Sequence, residues 1–129
     1  MFKDVDLVLV GHGSVLPYNE ELMETFRRKI ERRRLFRSVR IAFLQRSKPS
    51  LEEVLEELAA TSPGRKVLVL PVFLAKGTHT LKDIPEILES YGENLKIIYG
   101  EPLGADDRIV DVLIDRAKAT LMAAADGET

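Results

Sequence analysis

The sequence holds two histidines, and both stand in the same local context. His12 lies in Gly11-His12-Gly13-Ser14, directly after the apolar run Val5 to Val10. His79 lies in the loop Leu74 to Thr80, directly after the apolar run Val67 to Phe73. Imidazole is the commonest nitrogen ligand for late transition metals, and its neutral form accepts a proton near neutral pH. Two imidazoles whose nitrogens come within about 4 Å could share a metal at about 2 Å each. The alternative is that each histidine satisfies a local backbone hydrogen bond.

The neighbouring residues narrow the chemistry. The chain has no cysteine, which excludes a disulfide framework, a thiolate metal site and a cysteine nucleophile, so a metal here must bind nitrogen or oxygen. Gly11-His12-Gly13-Ser14 has the spacing of neither common nucleotide fingerprint. Its glycines still let backbone N–H groups approach an anion at the start of a helix. Ser14 as a nucleophile needs a base and an acid in triad order, and no convincing set is present. Arg46, Lys48 and Lys76 bring positive charge to the same region and suit a carboxylate-bearing substrate. Taken singly, each also reads as an ordinary surface cation.

These residues need a scaffold that delivers them to one place, and the hydropathy pattern supplies it. Val5 to Val10 reads as a strand buried on both faces. Tyr18 to Arg34 follows as a helix with Leu22, Met23, Phe26 and Ile30 at helical spacing, acids in its first turn and arginines in its last. Val39 to Leu44 is a second strand. A second helix starts at Ser50, where Ser50 and Glu53 form a capping box and Leu51, Val54, Leu55 and Leu58 give the buried stripe; Ser62, Pro63 and Gly64 end it. Val67 to Phe73 is a third strand, with Pro71 at its carboxyl end or at a bulge. Thr80 is expected to cap a third helix starting at Leu81, with Asp83 completing a partial capping box and Pro85 tolerated near the first turn. Leu95 to Tyr99 is a fourth strand. Ala105 to Ala124 is the longest helix, expected to face Ile109, Val110, Leu113, Ile114, Ala117 and Leu121 inward.

The alternation predicts an α/β fold: a single-domain three-layer sandwich with a four-stranded parallel sheet in flavodoxin-like order. The domain is expected over residues 1–125, with 126–129 as a frayed tail. In such sheets ligands bind outside the carboxyl ends of the strands. The loops Gly11 to Ser14, Gln45 to Pro49, Leu74 to Thr80 and Gly100 to Gly104 all fall on that edge.

At 129 residues, with 45% hydrophobic and 31% charged residues, the chain has the size and composition of one globular domain. The net charge of −2 conceals an asymmetry: ten of the nineteen basic residues lie between Arg27 and Lys48 with one acid, Glu31, whereas Ser50 to Thr61 carries four glutamates and no base. Such a segment attracts an anionic partner or forms a solvated helix face. Nucleic acid is not the expected partner, because the segment lacks interleaved aromatics and any recognition motif. No run reaches the roughly 18 apolar residues that spanning a bilayer requires, and no signal peptide is evident. The expectation is a cytoplasmic protein with no membrane partner.

Four stretches together resemble a known family: LVLVGHGS at 7–14, LPYNEEL at 16–22, PVFLAKGTHTLKDIP at 71–85 and EPLGADDRIVDVLIDRA at 101–117. They are similar to the small sirohydrochlorin chelatases, which insert cobalt or nickel into a carboxylate-rich tetrapyrrole. The last two look most like archaeal members, including those that start the nickel tetrapyrrole of methanogens. The resemblance implies that His12 is the proton acceptor and contributes to the metal site, and that His79 is a metal ligand. It implies that Leu74, Ala75, Lys76, Gly77, Thr78 and His79 line the tetrapyrrole. No permanent cofactor is expected; Ni2+ or Co2+ is a substrate, with sirohydrochlorin, and the short form is expected to be a homodimer. Where many relatives carry a segment like MEFSEP this chain has LQRSKP, so Gln45 and Lys48 replace glutamates, the second at a substrate-binding position. Lys76 stands where a second histidine is often seen. A carrier that binds metal or tetrapyrrole without catalysis is the rival reading.

Overall fold

The computed structural model describes every residue except Ser62 and Thr129. Its strands are β1 (Phe2–Gly11), β2 (Phe36–Phe43), β3 (Lys66–Pro71) and β4 (Lys96–Tyr99), and its helices are α1 (Tyr18–Glu31), α2 (Leu51–Thr61), α3 (Ile84–Glu89) and α4 (Asp107–Glu128). A π-helical turn, His79–Asp83, leads directly into α3. The strands form one parallel sheet in the order β2-β1-β3-β4. This is the α/β sandwich expected from the sequence.

The central strand is buried from Val5 to Gly11 because helices cover both its faces. On one face Val8, Val10, Ala42, Val67 and Val69 meet Leu51, Val54, Leu55 and Leu58 of α2 and Ile84 and Leu88 of α3. On the other, Leu7, Leu9, Val39 and Phe43 meet Met23 of α1. Each fully buried leucine of α2 contributes about 2 kcal/mol by removal of its apolar surface from water. The Glu53 N–H donates to Ser50 Oγ at 3.1 Å, so the cap of α2 is as expected. Of the residues closing that helix, Ser62 lies outside the described residues, and so does Thr129 of the expected tail.

Three elements differ from the sequence reading. The segment after β3 is not a cap followed by a helix at Leu81. Thr80 is buried, and its Oγ1 accepts from the Gly77 N–H at 2.8 Å and donates to the Gly77 carbonyl at 3.1 Å. The turn therefore starts earlier and includes His79. β3 itself stops at Pro71, which offers no N–H toward β4.

The third difference is α4, which does not face its apolar residues inward. Leu113 is 64% exposed and Leu121 70%, with Val110 and Ile114 also exposed. The helix begins at Asp107 and runs to Glu128, past the expected boundary at Ala125. It leaves the outer face of β4 open, so that Ile98 is 51% exposed. Helical spacing reports an apolar stripe but not which surface the stripe meets.

Candidate functional site

Parallel pairing puts the carboxyl ends of β1 and β3 side by side. Val10 is in register with Pro71, and the Val72 N–H donates to the Val10 carbonyl at 2.8 Å. His12 therefore leaves the sheet two residues beyond a point fixed against β3. The loop after β3 brings His79 back over the same point. The two Nε2 atoms stand 2.9 Å apart, with ring planes at 70°.

Hydrogen bonding constrains which nitrogens carry protons. His79 Nδ1 lies 2.8 Å from Asp83 Oδ2, and His12 Nδ1 lies 3.3 Å from the Gly13 carbonyl. The Asp83 carboxylate is an acceptor, so His79 donates through Nδ1 and keeps a lone pair on Nε2, whereas His12 donates from Nδ1 to the Gly13 carbonyl in one tautomer and from Nε2 to His79 in the other. The Gln45 side-chain amide approaches His12 Nε2 at 3.4 Å, consistent with an acceptor there. At 2.9 Å the two nitrogens share a hydrogen bond when one Nε2 carries a proton, and present two lone pairs to a metal ion when neither does. A metal bonded at about 2 Å to both nitrogens would close an angle of about 90°, a normal value for adjacent ligands of an octahedral or square ion.

The loops around the histidines are tied together. Gly13 adopts φ 98° and packs against the Gln45 carbonyl, where a side chain would collide with backbone. Ser47 Oγ accepts from the Ser14 N–H and donates to the Ser14 carbonyl, each at 3.0 Å. Gln45 N–H donates to the His12 carbonyl at 3.2 Å. On the other side, Leu103 and Gly104 N–H groups donate to the Phe73 and Leu74 carbonyls at 2.9 and 2.8 Å. Phe73 stacks on the His79 ring at 15°. The histidine pair is thus seated between two zipped loop pairs.

The other expected site residues surround this pair. Leu74, Ala75, Lys76, Gly77 and Thr78 are exposed on the loop leading to His79. Lys76 Nζ lies 3.4 Å from Glu101 Oε2 across the neighbouring loop. Lys48 is exposed beside Arg46, which holds a positive φ of 63°. Val15 and Leu16, next to the His12 loop, and Leu103, next to Glu101, are exposed apolar residues on the same edge. Among the described residues no group of three or more histidine, aspartate or glutamate side chains is placed to hold a metal. The histidine pair therefore offers two nitrogen donors and, among the described residues, no third protein ligand of these types.

The basic segment is divided by the sheet. β2 crosses from one edge to the other, so Arg46 and Lys48 reach the histidine edge. Arg28, Arg32, Arg34 and Arg37 join Lys3 around a cleft of about 420 Å³ at the opposite edge. One contiguous stretch of sequence makes two separate positive surfaces.

Three residues near the histidines were not assigned a site role by sequence reasoning. Asp83 was readable as a cap, yet it partners His79; its signal was the i, i+4 spacing, visible once the helix is started at His79. Glu101 pairs with Lys76. Tyr99 donates to the Thr80 carbonyl at 2.8 Å, and no local signal marks that contact. Burial, and then the Glu101 carboxylate, raise the Tyr99 phenol above its ordinary value, which keeps the hydroxyl a donor.

Comparison with known proteins places this geometry in a family. The CbiX family model matches residues 6–120. The sirohydrochlorin cobaltochelatase of Methanocaldococcus jannaschii is 38% identical over 138 residues, covering 86% of this chain and 96% of that protein. The one from Methanosarcina barkeri is 36% identical over 131 residues, covering 94% of this chain and all of that protein. Among solved structures, the sirohydrochlorin chelatase SirB of Bacillus subtilis in complex with cobalt superposes with a TM-score of 0.78 at 25% identity, over 92% of this chain and 51% of SirB. A CbiX protein from Marinobacter aquaeolei shares the fold at a TM-score of 0.74 and 24% identity, over 94% and 98% of the two chains. With the family model matching from the middle of β1 into α4, and relatives of nearly equal length at well over 30% identity, this chain belongs to the CbiX family.

Proposed function

We propose that the protein is a tetrapyrrole metal chelatase that inserts Co2+ or Ni2+ into sirohydrochlorin. The observation that carries this reading is the 2.9 Å approach of two Nε2 atoms at the carboxyl edge of the sheet. Insertion replaces two pyrrole N–H bonds with metal–nitrogen bonds and releases two protons. His12 and His79 present the dehydrated cation through Nε2. As the macrocycle nitrogens take the metal over, His12 Nε2 becomes free to accept one of the two protons, and the other passes to water at the open edge. A two-ligand site suits a cargo that must leave, whereas a closed four-ligand site would retain it.

The rim suits the other substrate. Exposed Val15, Leu16, Leu74 and Leu103 offer apolar surface to the macrocycle, and Lys48, Arg46 and Lys76 offer charge to its acetate and propionate arms. Lys76 exchanges its exposed partner Glu101 for a substrate carboxylate at little cost, because such surface pairs are weak. Either metal fits nitrogen ligands, and supply decides between them. The cobalamin route and the methanogen nickel route both use this chemistry.

A second copy of the chain completes the fold in this reading. The apolar stripe of α4 and the outer face of β4 at Ile98 are both exposed apolar surfaces in the single chain. Two copies that exchange α4 cover both. That SirB is about twice as long as the region it shares with this chain supports two such units working together. No described helix is long and apolar enough to cross a membrane, and the reading places the homodimer in the cytoplasm.

Incubating the protein with sirohydrochlorin and Co2+ or Ni2+, and following absorbance against a protein-free control, tests the function. Wild type should accelerate insertion, and His79→Ala and His12→Ala should each abolish the acceleration while retaining the far-UV spectrum of the fold. Binding of metal and tetrapyrrole without acceleration would identify a carrier instead. Undiminished activity in His79→Ala would remove the histidine pair from the mechanism.

A further inference from the structure

We propose that Asp83 is a positioning residue for the metal centre: its carboxylate holds His79 in one tautomer and one rotation, with Nε2 aimed at His12. The inference rests on the reading of His79 as a metal ligand and adds the group that makes it one. An ionised carboxylate is acceptor only, so its 2.8 Å contact with His79 Nδ1 requires the proton on that nitrogen and the lone pair on Nε2. Among the described residues no lysine or arginine pairs with Asp83, and the carboxyl groups that share its cleft are Glu52 and Glu86. Among the described residues the imidazole is therefore its one cationic or donor partner.

The backbone is shaped to make this pairing. The Ile84 N–H closes an i to i−5 bond on the His79 carbonyl, so the turn is wider than an α-helical one. Such π-turns recur at functional sites. Pro85 has no N–H to continue the pattern onto Thr80, and the Tyr99 hydroxyl takes that carbonyl instead at 2.8 Å. Phe73, stacked on the His79 ring at 15°, fixes its plane. Asp83 fixes the remaining freedom, the flip that would exchange Nδ1 and Nε2.

The two histidines are consequently unequal. His79 is held by a carboxylate at 2.8 Å, whereas His12 is held by a backbone carbonyl at 3.3 Å. A carboxylate partner makes the imidazole a better donor to metal and fixes its orientation. His79 is the fixed ligand, and His12 is the one able to change partner during transfer.

Cobalt(II) titrations of full-length wild type, His79→Ala, Asp83→Ala and Asp83→Asn, read by absorbance, test this together with nitrogen-15 NMR of the metal-free His79 ring. Asp83→Ala should weaken cobalt binding about 10–100-fold, the usual cost of losing a ligand's hydrogen-bond partner. Its His79 should populate both neutral tautomers. Asp83→Asn keeps an oxygen that accepts the Nδ1 proton, so it should restore the single tautomer and most of the affinity. Wild-type affinity in Asp83→Ala, with His79→Ala weakened, would overturn the positioning role and leave the ligand reading standing. An unchanged His79 tautomer in a weakened Asp83→Ala would overturn it equally. Wild-type affinity in His79→Ala would defeat the ligand reading, and the role of Asp83 with it.

Discussion

The hydroxyl of Tyr99, the last residue of β4, donates to the carbonyl oxygen of Thr80 at 2.8 Å. That acceptor lies in the turn that carries His79, at the one place where Pro85 cannot supply a backbone donor. A strand with no histidine of its own is thereby joined to the histidine loop.

Tyr99→Phe should destabilise the fold by about 1–2 kcal/mol, because the Thr80 carbonyl loses its donor. It should also weaken cobalt binding. The phenol is raised above 10.0 by burial and by Glu101. Above pH 10 the unfolded chain therefore loses its proton first, and the stability this group provides, complete below that pH, declines as pH rises through the folded-state value. Urea unfolding at pH 8 and pH 11 should show a smaller alkaline loss in Tyr99→Phe than in wild type. Equal losses would dissociate Tyr99 from that decline.

Gly13→Ala should separate the His12 loop from the Gln45 loop. The position has φ 98°, and a methyl group would collide with the Gln45 carbonyl. Backbone strain of this kind costs about 1–3 kcal/mol, before the loops move apart. A lower melting temperature and a loss of cobalt affinity are expected together. A variant with wild-type values of both would refute the account of the zipped loops.

Asp6 and Arg65 provide the opposite control, since they lie toward the amino ends of β1 and β3. Asp6 is buried, accepts from Ser38 Oγ at 2.6 Å and pairs with Arg65 Nε at 2.6 Å. Asp6→Ala leaves a mostly buried guanidinium without its partner and should cost about 3–5 kcal/mol. Cobalt affinity of the remaining folded protein should not change. Denaturant titration and cobalt titration of the same variant separate the two quantities, and a stability within error of wild type would show the ion pair to be dispensable.

Leu113→Glu with Leu121→Glu should abolish the proposed homodimer and leave monomer. Both side chains lie on the exposed stripe of α4, and burying two carboxylates against a second copy is unfavourable. Sedimentation velocity is the measurement. A wild-type protein that sediments as monomer would refute the exchange of α4.

The local pattern was sufficient for much of this molecule. Runs such as Val5 to Val10 and Val67 to Pro71 are strands whatever surrounds them, because a β-branched apolar segment of that length needs cover on both faces. Alternation of strand and helix then imposes parallel pairing and sends His12 and His79 to the same edge. The stripe of α2 and its Ser50 cap are local for the same reason. The cap's partner, Glu53, lies three residues on, and the stripe repeats every three or four residues.

Contacts between distant residues were decided only by the tertiary structure. The flavodoxin-like order already sets β1 beside β3, but that Val10 is level with Pro71 and that the two loops fold back to bring a pair of nitrogens 2.9 Å apart belongs to the packed chain. Tyr99 reaches Thr80 and Glu101 reaches Lys76 because adjacent strands end together. The start of the turn at His79 follows from Thr80 being buried against the Gly77 backbone, which overrides its preference for a cap. The apolar stripe of α4 is visible in the sequence, but the surface it should meet is not. Periodicity records which side chains share a face; the packing of the whole chain decides what, if anything, that face touches.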